Sequence, residues 1–421
     1  MVLHTNSKKL KGSGENAAEM HGKMEQEKKW GEGVFTLLSW FEMERVRNAR
    51  VLVVGAGALG NEVLKNLALF GVGNIYVVDF DTIEYSNLTR SILFREEDAD
   101  KGHYKADVAA RRVREINRNV NIHPIIGRLD TNVGLGLYRS MDVVIGCLDS
   151  RIARLQLNRQ CIRAGVPWVD GSIENLEGLV RVYKKGINCY ECELPEATKE
   201  LIFHRMSCAD VANRNTQAGR IPTTPVIASI IGAVQVQEAM KLIHEGHVKP
   251  DEFTSLCGSW FKYEGSHMTS RIYKSAIWAD DCLAHEDWEP VVPIASLRAD
   301  MSVGEALQVL RDNLGAEEVE INLRNTKFVD KLVTKGDNTA YPAMCPEYRV
   351  ADYIDSIPEL YTRLQSDINQ SAYENIDAEF PYQDLTLEQI GIPRWDVLQV
   401  VSENGGYYVE MAGDKDYYEK K

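Results

Sequence analysis

Residues 51–60, VLVVGAGALG, constrain what this chain can fold into more than any other stretch. Val51, Leu52, Val53 and Val54 form an apolar, β-rich run too short for a helix, which predicts a fully buried strand. Gly55-Ala-Gly57-Ala-Leu-Gly60 follows at once, and NEVLKNLALF then carries apolar residues at Val63, Leu64, Leu67, Ala68 and Phe70 in helical spacing. Strand, glycine turn and helix in this order make a nucleotide cradle. Gly55 permits the tight turn, Gly57 lets backbone N–H groups approach phosphate, and Gly60 lets helix pack on strand. A second apolar strand, NIYVVD at 74–79, ends on Asp79, at the distance where an acid accepts the hydrogen bonds of a ribose diol.

The 421 residues suffice for two or three domains with a sizeable core. A net charge of −14, from 48 basic and 62 acidic residues, argues against nucleic acid and anionic membranes as partners. No apolar run approaches the roughly 20 residues needed to span a bilayer, and no secretory signal is present. Eight cysteines in such a chain favour thiols and metal ligands over disulfides, so a cytoplasmic protein is expected.

Residues 1–25 are polar and aperiodic and read as a mobile tail. An apolar pattern over 30–49 suggests one or two helices leading into the first strand. Beyond Asp79, Ser86-Asn-Leu-Thr-Arg90 sits where open α/β sheets place their ligands. Lys105 begins an amphipathic helix, 122–126 is a short strand, and 142–149 is a buried strand delivering Asp149 to the same edge. Residues 166–170 repeat the strand theme, and 179–184 open an antiparallel extension.

GAGALG, DFD, SNLTR, LFR, KADVAA and CLDSRIAR, in this order between residues 45 and 290, resemble the adenylating domain of ubiquitin-activating enzymes. The bacterial relatives that charge sulfur-carrier proteins for molybdopterin and thiamine synthesis share it. The resemblance implies an α/β, Rossmann-like adenylation domain over 26–290. In such enzymes the C-terminal glycine carboxylate of a ubiquitin-like protein attacks the α-phosphate of ATP and releases pyrophosphate. By position in the motifs, Asp79 matches the ribose anchor, and Asn87 and Arg90 match the phosphate contacts. Lys105 matches the lysine that neutralises developing phosphate charge, and Asp149 the Mg²⁺ or pyrophosphate-side carboxylate. Lys101 competes with Lys105, because the chain is two residues longer than expected between Arg95 and Lys105. Asp81, the weaker acid of the DxD pair, orients the turn. One departure stands out: the segment before the first strand lacks the arginine of the family's RYxRQ-like stretch, and Arg45 and Arg47 read as surface charges. A different cation or another subunit then supplies that charge.

Cys189-Tyr-Glu-Cys192, in a hairpin-like setting, and Cys282-Leu-Ala-His285 are two knuckles that together give the Cys₃His pattern of structural zinc. The resembling family has C-x-x-C in both places, so His285 is a substitution by a competent ligand. A redox C-x-x-C is the rival, and would normally begin a helix in a thioredoxin-like unit. Residues 193–221 form a long polar loop, which the resemblance makes the crossover loop above the ATP site. Cys208 lies where several activating enzymes carry the catalytic cysteine, with His204 and Arg205 nearby to favour the thiolate. Attack by that thiolate on the acyl-adenylate would give a thioester. Thr223 and Thr224 start the next helix, whose dipole helps hold an anion. Cys147 and Cys161 read as core, and Cys257 and Cys345 as weaker alternative nucleophiles.

After His285, residues 292–415 alternate helix (near 303–313), strand (near 317–323), a loop with Gly336 and Pro342, a short helix at 385–390, and a hairpin at 397–401 and 407–410. This suggests a small α+β domain compatible with a β-grasp. LTLEQIGIPRWDVLQV resembles the end of the ubiquitin-fold domain by which activating enzymes recruit the conjugating enzyme, and a generic dimerisation module is the plainer alternative. The leading reading is an ATP- and Mg²⁺-dependent activating enzyme for a ubiquitin-like protein, handing a thioester to a conjugating enzyme. Its rivals are adenylation for sulfur transfer without a thioester, a silent binding scaffold, and an NAD-dependent oxidoreductase. Such relatives pair as homodimers or heterodimers, and the apolar helix at 226–242 serves either an interface or the core.

Overall fold

The computed structural model describes residues 34–129, 131–199, 223–247, 253–323, 327–347, 350–355, 357 and 368–419. Strands β1 (Arg50–Val54), β2 (Asn74–Val78), β3 (Asn121–Ile125), β4 (Val143–Gly146) and β5 (Trp168–Glu174) pair in parallel. β6 (Glu177–Tyr183), β7 (Ser259–Glu264) and β8 (Thr269–Lys274) continue the sheet antiparallel. The spatial order is β3-β2-β1-β4-β5-β6-β7-β8. The order in which successive strands are added therefore reverses between β1 and β4, the crevice where open α/β sheets bind ligands.

Alternation along β1 divides the core. Val51 and Val53 face one layer with Ile75, Val77 and Ile145. That layer also holds helices α1 (Ala58–Phe70) and α2 (Lys105–Ile116). Leu52 and Val54 face the other, with Tyr76, Val78 and Val144, covered by helix α3 (Arg151–Ala164) and by the short helix Leu135–Arg139. Each fully buried Val or Leu contributes about 2 kcal/mol, so the two faces together fix the register of the central strands.

Helix α4 (Pro225–Ile243) corrects one expectation. Its 19 residues are long and apolar enough to cross a membrane by length and composition alone, yet 61% of that window is buried within the fold. It packs on α1, β5 and β6. Gln235 and Glu238 are buried in it, Gln235 Nε2 donating to Gly146 O at 2.8 Å and Glu238 Oε2 accepting from Leu256 N–H at 2.7 Å. Of the two roles weighed for this helix, the packing is that of a core helix.

The C-terminal portion builds a second, mixed sheet. It contains β9 (Val291–Pro293), β10 (Val319–Asn322), β14 (Asn375–Ile376), β15 (Val397–Ser402) and β16 (Gly405–Glu410), in the order β14-β10-β15-β16-β9. Helix α5 (Val303–Leu314) is capped by a Ser302–Glu305 box and packs Val303, Ala306, Leu307 and Leu310 against Ile321, Val400 and Val409. Between β10 and β14, strands β11 (Phe328–Thr334), β12 (Ala340–Pro346) and β13 (Ile368–Tyr373) form a three-stranded sheet. The sequence reading placed a loop there because of Gly336 and Pro342. β12 is an edge strand, a position in a sheet where proline is tolerated. The short helix expected at 385–390 is instead a hydrogen-bonded turn, with Ile390 N–H donating to Thr386 O at 3.1 Å.

Two residues seat this second sheet on the first. Trp395 O accepts from Gly136 N–H at 2.9 Å, and Asp396 Oδ1 accepts from Leu135 N–H at 2.8 Å. A side chain on Gly136 would collide with the Trp395 indole, so glycine is required there.

Candidate functional site

The glycine turn is built as its composition demands. Gly55 adopts φ +96°, and a Cβ there would come within 2.5 Å of Cys147 O. A Cβ on Gly60 would collide with Gly55 O, so only glycine lets α1 start this close to β1. Gly57, the residue before α1, faces open space, leaving room for a ligand against the helix N-terminus.

Asp79, just past β2, is tied to this turn. Its Oδ2 accepts from Ala56 N–H at 2.7 Å and its Oδ1 from Asp81 N–H at 2.8 Å. Each oxygen keeps a second lone pair, as a ribose diol requires. Burial pushes the carboxyl above the usual range, opposed by the Lys105 ammonium and by those two amides.

Lys105 reaches the site although it lies 24 residues beyond Asp81. Ile83 N–H donates to His103 O at 2.9 Å and Lys105 N–H to Asp81 O at 2.9 Å, so the start of α2 is stitched alongside the segment leaving β2. Lys105 Nζ then meets Asp81 Oδ2 at 2.6 Å, with only 11% of the lysine side chain exposed. Lys101, its competitor, is exposed at the end of the Glu96–Asp100 helix. Asp81 thus does more than orient a turn: it holds the lysine.

Asn87 and Arg90 lie on and just after the short helix Tyr85–Leu88. Asn87 Oδ1 accepts from Glu84 N–H at 3.0 Å. Arg90 Nη1 donates to Ser86 O at 2.7 Å, and among the described residues the guanidinium has no carboxylate partner. Arg45, by contrast, is paired with Glu42 at 2.9 Å. Asp149 is exposed in the loop between β4 and α3. β4 ends at Gly146, earlier than the strand expected from the sequence. Cys147 N–H donates to Val54 O at 2.8 Å, so this loop leaves the sheet beside the glycine turn.

Three polar residues of this region escaped the sequence reading. Arg154 is buried and donates through Nε to Asp170 Oδ1 at 2.9 Å and through Nη2 to Gly171 O at 3.2 Å and to Leu148 O. It pins the loop one residue before Asp149. Gln235 holds the end of β4 from the opposite face, and Asn61 bridges the glycine turn to the segment after Arg90. The signal available for Arg154 was a cation inside an otherwise apolar helix face. Asn61 and Gln235 gave none, because the partners that matter, Leu93 for Asn61 and Gly146 for Gln235, are distant in sequence.

A second cluster lies across the sheet. One ligand atom from each of Cys189, Cys192, Cys282 and His285 falls within 4.8 Å of the others. Cys192 Sγ is 3.6 Å from His285 Nε2, and the imidazole stacks on Trp278 at 3.4 Å with 10° between planes. Cys189 caps the one-turn helix Tyr190–Glu193, so the hairpin expected at this knuckle is replaced by a helical turn. Burial and the neighbouring thiols push Cys189 well up and Cys282 up to about 11, and burial lowers His285. Three clustered thiols, one buried and two half-buried, beside an imidazole are the donor set that tetrahedral zinc fits. The helical turn is not part of a thioredoxin-like unit, the setting a redox C-x-x-C would normally have.

The seven described cysteines are all free thiols. Cys161 is buried, burial raises Cys147 and Cys257, and Cys345 lies in β12. Thr224 caps α4, its side chain accepting from Ile227 N–H at 3.3 Å. Cys208, His204 and Arg205 lie outside the described residues.

Comparison with known proteins matches the ThiF family over residues 32–283. The SAMP-activating enzyme E1 of Haloferax volcanii is 34% identical over 225 residues, 53% of this chain and 76% of that protein. The molybdopterin-synthase adenylyltransferase of Escherichia coli is 35% identical over 209 residues, 49% of this chain and 77% of that protein. The SUMO-activating enzyme subunit 2 of Dictyostelium discoideum is 38% identical over 152 residues, which span 36% of this chain and 23% of that protein.

Proposed function

The chain belongs to the ThiF family, and on that premise we propose that it uses ATP to adenylate the C-terminal glycine of a ubiquitin-like or sulfur-carrier protein. The observation that carries this reading is the convergence at one sheet edge of a glycine turn, Asp79 and Lys105, with Arg90 and Asp149 on the flanking loops. Asp79 accepts the ribose hydroxyls, and the N–H groups at the start of α1 with Arg90 and Asn87 hold the phosphates. Lys105 moves from Asp81 onto the α-phosphate as charge builds there. The carrier carboxylate forms a bond to the α-phosphorus, the bond to the β-phosphate oxygen breaks, and pyrophosphate leaves. Asp149 and Asp81 are the carboxylates suited to Mg²⁺, which supplies neutralisation of the polyphosphate charge when bound.

The activation continues, in this proposal, to a thioester. The Cys208 thiolate attacks the acyl-adenylate carbonyl and releases AMP. The mixed sheet around α5 then recruits a conjugating enzyme that accepts the acyl group. The relatedness to an adenylyltransferase of molybdopterin synthesis supports a second reading, in which the acyl-adenylate goes to sulfur transfer and Cys208 stays idle.

Cys208→Ser separates the two. The variant is expected to retain ATP–pyrophosphate exchange within about twofold while losing all thiol-labile adduct, because only the second step needs the sulfur. Intact mass under non-reducing conditions reads the adduct. An adduct that persists in the variant places the nucleophile elsewhere, and exchange with no adduct in the unaltered protein selects the sulfur-transfer reading.

A further inference from the structure

Asn61 lies in the first turn of α1 and is completely buried. Its side chain saturates three backbone groups that belong to two different parts of the site. Nδ2 donates to Ala56 O at 2.8 Å and to Gly57 O at 3.0 Å, both in the glycine turn. Oδ1 accepts from Leu93 N–H at 2.8 Å, three residues beyond Arg90. Leu93 and Phe94 are themselves buried, so this segment has a fixed seat. Ala56 uses its other backbone group on Asp79 Oδ2. A continuous chain of hydrogen bonds therefore runs from the Asp79 carboxylate through Ala56 and Asn61 to the strip of backbone that carries Arg90.

We propose that Asn61 is a positioning residue that sets where the Arg90 guanidinium stands relative to the glycine turn, and so acts on the triphosphate through Arg90. The inference rests on the nucleotide-binding part of the proposed function. Arg90 is the phosphate-side cation least restrained by its own contacts, since its described partner is one backbone carbonyl on the same short helix. Its placement depends on the backbone beneath it, and Asn61 is the side chain that anchors that backbone to the turn. An apolar residue at 61 would take the side-chain partner from Ala56 O and Leu93 N–H, while Gly57 O would keep the residue-61 backbone N–H at 2.9 Å, and the strip would move to rehydrate the two groups.

The experiment is a double-mutant cycle on the full chain, read by equilibrium binding of ATP and by ATP–pyrophosphate exchange. Asn61→Ala and Arg90→Ala are each expected to weaken ATP binding by about tenfold or more. If Asn61 acts through Arg90, Asn61→Ala in the Arg90→Ala background weakens it less than about twofold further. Multiplicative losses would overturn the proposal, because a residue that only supports the fold loses affinity whatever stands at 90. Unchanged binding in Asn61→Ala would overturn it as well. Asn61→Ser, which keeps a hydroxyl to serve one of the three groups, takes the same place in the cycle if Asn61→Ala does not fold. A protein that binds ATP but exchanges no pyrophosphate with any carrier refutes the adenylation reading alone, since the cycle remains readable from binding. Absence of ATP binding refutes both.

Discussion

Lys105→Ala will lower carrier-dependent ATP–pyrophosphate exchange by about a thousandfold, the scale seen when a preorganised group facing developing charge is removed. The expectation follows from where the ammonium sits. Lys105 has only 11% of its side chain exposed and is held at 2.6 Å from Asp81, so it is a cation in a partly dehydrated site rather than a solvated lysine on a helix. In such surroundings its attraction to a nearby anion is several times that in water. The Asp81 contact also holds the ammonium at the site before nucleotide binds. Lys101→Ala, at an exposed position, should leave exchange within about twofold. Exchange in Lys105→Ala within tenfold of the unaltered protein would remove the lysine from the mechanism. Lys105→Arg will not restore the rate, because the guanidinium is broader and cannot replace a compact ammonium against Asp81.

Stripping metal from the Cys189, Cys192, Cys282 and His285 cluster will lower the melting temperature by about 10 °C, since a structural zinc contributes several kcal/mol of folding free energy. The cluster is a junction of segments distant in the chain. Asn158 in α3 donates to Cys189 Sγ at 3.2 Å, and Ala279 N–H donates to Cys192 Sγ at 3.4 Å. Removing the ion frees the knuckle at 282–285 from the end of the first sheet, next to the point where the chain crosses to β9. Metal analysis should find about one zinc per chain in the unaltered protein and His285→Cys, and much less in His285→Ala. Metal-free protein with unchanged melting, or a Cys189–Cys192 disulfide in freshly isolated protein, would contradict the assignment.

Local chemistry was legible in the sequence wherever the physical requirement was itself local. Gly55 and Gly60 announce a turn that forbids side chains, and Asp79 announces its reach to that turn through strand spacing. The Cys189, Cys192, Cys282 and His285 cluster was legible because ligand spacing is a short-range pattern, although the helical turn at Cys189 was not foreseen. What escaped depends on contacts across long stretches of chain. Leu93 lies 32 residues from Asn61, and Asp170 lies 16 from Arg154, so neither pairing leaves a periodic trace. Strands β11 and β12 were hidden by Gly336 and Pro342, residues that mark loops in general yet are harmless in a turn and on an edge strand. The seating of Trp395 on Gly136 joins residues far apart in the chain and was equally silent. Cys208 lies outside the described residues, and its catalytic role rests on sequence position.

The most direct test of the account is incorporation of labelled pyrophosphate into ATP by the purified full chain. The reaction holds Mg²⁺ and a small β-grasp carrier protein ending in glycine. The account predicts exchange that requires the carrier, disappears when the carrier's terminal glycine is deleted, and is abolished by Asp149→Ala. Exchange that persists without any carrier, or ATP binding with no exchange across a panel of glycine-terminated carriers, would contradict it.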